Sequence, residues 1–299
     1  RDSYLVNAHV PRFGSGEAKG VIDESVRGMD LYILVDVCNY SLTYSMSGNT
    51  NHMSPDDHYQ NLKRIIAAVG GKAKRINVIM PFLYESRQHK RSSRESLDCA
   101  LALQELTHMG VDNIITFDAH DPRVQNAIPL SGFETVRPTY QFVKGLLDRY
   151  DDLIIDSDHM MAISPDEGAT ERAVYLANVL NLDMGMFYKR RDYTRVVNGR
   201  NPIVAHEFLG SSVEGKDVII LDDMISSGDS ILDVAKQLKS RNAKRIFAAA
   251  TFGLFTNGLD KFDEAYESGL IDGVLTTNLI YQTPELLSRP YYINCDMSK

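Results

Sequence analysis

Short apolar runs recur along this chain, and most of them give way to a stretch with helical spacing. The runs at 31–37, 76–80, 113–117, 160–164, 183–188, 218–221, 246–251 and 273–277 read as strands. Helical periodicity fills most of the gaps, at 56–68, 93–109, 170–180 and 230–241. Near-continuous apolar runs mark strands buried on both faces. Strands that alternate with helices achieve this as parallel sheets covered on either side. The expected fold class is therefore α/β, with mainly parallel sheets flanked by helices.

Two halves share this plan. The first has strands near 33, 78 and 115, the second near 162, 185, 219 and 249. A helical linker at 138–149 separates them, so the expected domains are 1–139 and 140–282. Tyr291-Tyr292-Ile293-Asn294 reads as a short strand, and 283–299 is expected to pack back on the first half. A chain of 299 residues with 43% hydrophobic content can fill two cores. One stretch breaks the rhythm: 39–57 is rich in Ser, Asn, Tyr and Met, has no period and reads as a long loop.

Charge and cysteine content exclude several classes. A net charge of −8 argues against a general nucleic-acid binder. No apolar run reaches the roughly 18 residues that would span a bilayer. Arg1-Asp2-Ser3-Tyr4 lacks a signal-peptide design. Cys38, Cys99 and Cys295 are too dispersed for a zinc pattern or a disulfide framework, and the first two sit in apolar surroundings. A cytoplasmic location is expected.

The strongest chemical signal is the passage from the apolar run at 218–221 into Asp222-Asp223-Met224-Ile225-Ser226-Ser227-Gly228-Asp229-Ser230, followed by helical spacing at Ile231, Val234, Ala235 and Leu238. A small-residue loop at a helix start offers N–H groups and hydroxyls to an anion. The two acids suit sugar hydroxyls or a divalent cation. A phosphorylated sugar fits both halves of the segment. Four further segments follow strands. The loop from Tyr84 to Glu95 carries a run of cations with His89, and a basic loop past a strand suits a polyphosphate. Asp118 and His120 differ by two and are expected on one side of an extended segment, where they could hold Mg²⁺. Ser164-Pro165-Asp166 opens a helix, and Lys189-Arg190-Arg191 closes a strand.

Taken together these segments resemble the ribose-phosphate pyrophosphokinase family, over nearly the whole chain. Arg12-Phe13 with Gly16-Glu17 resembles its Arg-Phe-x-Asp-Gly-Glu, and Glu24-Ser25-Val26-Arg27-Gly28 its Glu-Ser-Val-Arg-Gly. Ser86-Arg87-Gln88 resembles its Ala-Arg-Gln-Asp loop, and Asp118-Ala119-His120 its Asp-Leu-His. Ser164-Pro165-Asp166 and Lys189-Arg190-Arg191 match as they stand. The resemblance implies two related phosphoribosyltransferase-like domains. It implies transfer of the β,γ-diphosphoryl group of MgATP to O1 of ribose 5-phosphate, leaving AMP. By matching position, Phe13, Gly16, Glu17, Arg87 and Gln88 would contact ATP. His120, Asp166 and Asp118 would hold Mg²⁺, and Lys189 and Arg191 would be catalytic. Asp222 and Asp223 would take the ribose hydroxyls, with Ser226, Ser227, Gly228, Asp229 and Ser230 forming the phosphate loop. The family also implies a homo-oligomer, a dimer or hexamer, with nucleotide and phosphate regulation.

The departures are specific. Ser226 replaces an acid of the family loop, Asp229 replaces a glycine, and Ser15 replaces the Asp of the ATP motif. Gly168-Ala169 replaces Gly-Gly, and the insertion at 39–57 replaces an Asn-Glu-His segment. Asp229 would repel a phosphate unless its side chain points away. Two alternatives therefore stand beside an active diphosphokinase: a non-catalytic regulatory homologue, and a phosphoribosyltransferase.

Overall fold

The computed structural model describes residues 5–191 and 203–298, apart from the side chains at 189–191 and 203–206. It divides into two compact units. Arg1–Arg137 with Leu279–Tyr281 form the first, and Pro138–Asn278 with Gln282–Lys299 the second.

The first unit begins with a small ribbon, β1 (Ala8–His9) and β2 (Val21–Ile22). Next come β3 (Asp30–Leu34), the hairpin β4 (Thr43–Met46) and β5 (Asn49–His52), and helix α1 (Pro55–Val69). Strand β6 (Arg75–Ile79), helix α2 (Asp98–His108), strand β7 (Asn113–Phe117), a 3-10 turn at Pro122–Ala127 and strand β8 (Gly132–Val136) complete it. Its sheet runs β3-β6-β7-β8, all parallel. Leu62 and Ile66 of α1 and Leu103 and Leu106 of α2 pack with Ile76, Val78 and Ile114 of the strands. Helix α1 starts cleanly. Ser54 accepts the Asp57 N–H, Asp57 answers on the Ser54 N–H, and Pro55 follows the cap.

The second unit contains α3 (Thr139–Arg149), β9 (Met160–Ser164), α4 (Thr170–Leu180), β10 (Asp183–Arg191), β11 (Ile203–Leu209) and β12 (Asp217–Ile225). Helix α5 (Asp229–Lys239), β13 (Ile246–Gly253), α6 (Asp260–Glu267), β14 (Gly273–Thr277), the short α7 (Pro284–Leu287) and β15 (Tyr292–Cys295) follow. The sheet order is β11-β10-β9-β12-β13-β14-β15, parallel except where β10 meets β11. Strand alternation splits β12 and β13 between two cores. Val218, Ile220, Ile246 and Ala248 face α5 and α6, through Val234, Leu238 and Phe262. Ile219, Leu221, Phe247 and Ala249 face α3 and α4, through Phe142, Leu146 and Leu176. Each such large side chain contributes roughly 1.5–3 kcal/mol of burial.

Several expectations are corrected. The segment 138–149 is no linker: α3 lies on β14 and β15, and Arg149 donates to Pro290 O at 2.9 Å. The terminal strand does not return to the first half. Tyr292 and Cys295 pair with Val274 and Thr277 of β14, which offers a free parallel edge beside α3. Only Leu279–Tyr281 joins the first unit, where the Asp36 carboxylate takes the Tyr281 N–H at 2.7 Å. The stretch 39–57 is not an irregular loop but a hairpin and a helix start. Ser47 (φ 50°) and Gly48 (φ 77°) are both left-handed, the demand of a tight two-residue hairpin turn. Helix α2 starts at residue 98 and not 93, because serine and acid side chains there bond within their own loop, Ser92 N–H to Glu95 and Ser96 Oγ to Asp98. Cys38 is only partly buried, although burial pushes both its thiol and that of Cys99 up to about 12.

Candidate active site

Chain order reverses in the second sheet between β9 and β12, since β10 lies on one side of β9 and β12 on the other. The carboxyl ends of these two strands therefore flank a switch point, where open parallel sheets take ligands. Both ends carry acids. Past β9, Asp166 Oδ1 accepts the N–H groups of Gly168 at 2.9 Å and Ala169 at 3.2 Å, and Ser164 Oγ donates to Asp166 O at 2.6 Å. On β12 the acids are strand residues, not loop residues. The ladder continues with Asp222 opposite Ala250 and Ile225 opposite Gly253, so the strand runs past residue 221 to Ile225. Asp223 is 3% exposed, and Asp222 Oδ1 accepts its N–H at 2.8 Å. Burial pushes the Asp222 carboxyl well above the usual carboxylate range, with Asp223 next in effect and Asp166 adding to it.

Beyond Ile225 the chain turns into a cradle. Gly228 has φ 82°, and a Cβ there would lie 2.4 and 2.5 Å from two ring carbons of Phe262. Glycine is thus needed for both backbone and space. Helix α5 begins at once, and Ser227 Oγ accepts the Asp229 N–H at 3.4 Å. Ser226 O accepts the Thr256 N–H at 3.0 Å, which ties the cradle to the loop after β13. Asp229 does not stand alone: Lys261 Nζ of α6 reaches its carboxylate at 2.5 Å and holds that carboxyl below its ordinary range.

Three loops of the first unit carry the remaining candidates. Residues 12–17 form a tight loop, with Phe13 N–H donating to Glu17 O at 2.7 Å and Gly16 N–H to Phe13 O at 2.9 Å. Phe13 is 54% exposed at its tip. In the basic loop, Gln88 Nε2 donates to Lys90 O at 3.2 Å and Ser96 O at 2.9 Å, so its amide helps fold that loop. After β7 the expectation of an extended Asp118–His120 segment fails. Asp118 has φ 39°, a left-handed residue that breaks the two-residue alternation. Its N–H is held by Val136 O, and the next by Thr135 Oγ1. The His120 ring packs against His89 with centroids 5.2 Å apart. His89 Nε2 lies 3.6 Å from Asp121, whose carboxyl Arg123 holds down at about 2, and His89 Nδ1 is buried without a hydrogen-bond partner.

Carboxylate oxygens such as those of Asp166 are the hard donors that Mg²⁺ takes. Among the described residues no three His, Cys, Asp or Glu side chains form a complete metal cage. Mg²⁺ usually takes one or two carboxylates and fills the rest of its shell with water and phosphate oxygens, so the donor set fits it.

Comparison with known proteins agrees with this geometry. Residues 2–110 match the profile of the N-terminal domain of ribose phosphate pyrophosphokinase, and residues 137–277 match the phosphoribosyl transferase domain. The ribose-phosphate pyrophosphokinase of Mycoplasma genitalium is 31% identical over 272 residues, 90% of this chain and 74% of that one. The chain belongs to the ribose-phosphate pyrophosphokinase family. The Pasteurella multocida ribose-phosphate pyrophosphokinase is 30% identical over 285 residues, covering 94% of this chain and 81% of its own. The crystal structure of the phosphoribosylpyrophosphate synthetase from Mycobacterium smegmatis has the same fold, with a TM-score of 0.79 at 23% identity, over 99% of this chain and 87% of that one.

Against this family frame, Phe13, Gly16, Glu17, Arg87, Gln88, Asp118 and His120 lie in the first unit, and Asp166, Asp222, Asp223 and 226–230 in the second. Lys189 and Arg191 lie on β10, opposite His206 and Ile203, with a bulge between Arg190 and Arg191. Their side chains fall outside the described residues. Sequence reasoning missed Lys261 and Phe262, which shape the cradle from some thirty positions downstream. No local pattern announces such partners.

Proposed function

We propose that the chain transfers the β,γ-diphosphoryl group of MgATP to O1 of ribose 5-phosphate, giving 5-phosphoribosyl 1-diphosphate and AMP. The observation that carries this reading is the course of β12: a half-buried acid, Asp222, and a buried one, Asp223, run directly into a glycine-pivoted helix start, at the switch point of the sheet. Asp222 and Asp223 would accept hydrogen bonds from the ribose hydroxyls. The N–H groups and hydroxyls of Ser227, Gly228 and Ser230 would take the 5-phosphate. On the first unit the exposed Phe13 ring would stack on the base, with Gly16, Glu17, Arg87 and Gln88 around the nucleotide. Asp166 would hold Mg²⁺ on the second unit, and Asp118 and His120 are the donor candidates on the first. When bound, Mg²⁺ neutralises charge on the phosphate oxygens. Lys189 and Arg191 would stabilise the charge on the transferring group, so that positioning and electrostatics replace covalent catalysis.

The grounds for a non-catalytic homologue are the altered cradle, with an acid at Asp229, and the altered ATP motif, with Ser15. The Asp229–Lys261 pair supports the active reading, since it offsets that acid with a cation. Incubating the protein with Mg²⁺, ATP and ribose 5-phosphate tests the proposal, with sugar-dependent release of AMP expected. No AMP, together with assembly onto an active homologue, would favour a regulatory role. Consumption of 5-phosphoribosyl 1-diphosphate by an added base would favour a phosphoribosyltransferase.

The same reading places the chain in the cytoplasm, with ATP and the sugar phosphate, and among the described residues no helix is long and apolar enough to cross a membrane. It also includes a homo-oligomer, a dimer or hexamer. Tyr32 and Leu34 on edge strand β3 are 60% and 70% exposed, the kind of surface that assembly covers. Light scattering on a sizing column checks this.

A further inference from the structure

The hairpin β4–β5 lies within the segment 39–57, and it does not project idly into solvent. It is built onto the loop at 12–17. The Arg12 guanidinium lies 4.1 Å from the Tyr44 ring centroid, over its face. The same guanidinium donates to Gly16 O at 2.9 Å through one nitrogen and to Asp57 at 3.2 Å through the other. Ser47 N–H, at the hairpin tip, donates to Gly14 O at 2.9 Å. Met46 packs against Gly16 so closely that a Cβ there would lie 2.7 Å from its sulfur. Three separate interactions, namely a cation–π contact, a backbone hydrogen bond and a thioether packing contact, thus fix a loop that would otherwise be a short glycine-rich turn.

We infer that the hairpin is a positioning device for the nucleotide, with Tyr44 and Met46 as positioning residues. By tying down Arg12, Gly14 and Gly16 it holds the exposed Phe13 ring in its binding conformation before the base arrives. A loop already ordered loses less conformational entropy on binding, so the gain goes into nucleotide affinity. Tyr44 and Met46 themselves need never touch the nucleotide. This inference rests on the proposed role of Phe13, Gly16 and Glu17 in binding ATP.

The test compares wild type with Tyr44→Ala, Tyr44→Phe, Met46→Ala and the exposed-site control Thr50→Ala. Two readouts are used: the KM for ATP against kcat, and hydrogen–deuterium exchange over residues 12–17. Tyr44→Ala is expected to raise the ATP KM about tenfold, with kcat and the ribose 5-phosphate KM within about twofold. It should also speed exchange at residues 12–17. Tyr44→Phe keeps the ring face and should restore both, and Thr50→Ala should change neither. Faster exchange at 12–17 with an unchanged ATP KM would overturn the positioning role while leaving the function standing. Unchanged exchange would overturn the tether itself. A wild type that binds no ATP in calorimetry would overturn the functional reading and this inference with it.

Discussion

A methyl group at Gly228 should separate the cradle from the rest of the fold. The backbone there is left-handed, which costs an L-residue about 1–2 kcal/mol. The added Cβ would also press on Phe262 at 2.4 and 2.5 Å. Phe262 has little room to withdraw, because it is fully buried and meets Phe255 edge-on with centroids 5.2 Å apart. Overpacking a filled core costs about 1–3 kcal/mol. Gly228→Ala should therefore destabilise the second unit by about 2–5 kcal/mol. For a domain of that size the melting temperature should drop by about 5–20 °C. Scanning calorimetry measures the drop, and titration calorimetry at a temperature where the variant is folded measures ribose 5-phosphate binding, which should weaken at least about tenfold. Adding Phe262→Leu removes the ring that clashes but not the backbone cost, so the double variant should recover part of the stability relative to Phe262→Leu alone. A Gly228→Ala protein that melts within about 2 °C of wild type and binds the sugar phosphate as tightly would refute the argument.

Other perturbations probe the neighbouring groups. Lys261→Ala should strip Asp229 of its partner and raise the ribose 5-phosphate KM, while adding Asp229→Gly should restore it; a KM equally high in the double variant would assign Lys261 a different role. Asp222 keeps its proton to higher pH when folded than when unfolded, so the folded state binds more protons across that window and loses stability as pH rises through it. Asp222→Asn should accordingly melt higher than wild type at neutral pH, show no such advantage below the ordinary carboxylate range, and bind ribose 5-phosphate more weakly; a lower melting point at neutral pH would contradict this. Lys189→Ala should cut kcat by roughly a hundredfold or more with an unchanged melting temperature. Unchanged turnover would remove Lys189 from the mechanism.

Much of this fold was legible because its strands are buried on both faces. Residues 113–117, 160–164, 170–180 and 273–277 fall where their apolar patterns place them, since burial and periodicity agree there. Periodicity failed where the partner decides the conformation. Asp222 and Asp223 look like loop residues by polarity, yet β13 continues past them and holds them in the ladder. Strand β10 runs on to Arg191 because β11 pairs with it from beyond residue 202. Residues 39–57 carry no burial signal, because most of the hairpin faces solvent, and only the Ser47-Gly48 pair hinted at its turn. Asp118 was misjudged because left-handed geometry at a non-glycine residue leaves no mark in the sequence. The cradle could be read from its own residues, but the cation that answers Asp229 lies on another helix and could not.

Phosphorus NMR of a mixture of the protein, Mg²⁺, ATP and ribose 5-phosphate follows the diphosphoryl group itself. Matched growth of AMP and of a diphosphate attached to the sugar at C1 is expected, with the signal of the 5-phosphate retained. ADP with orthophosphate, or a spectrum of unreacted ATP and sugar phosphate, would contradict it.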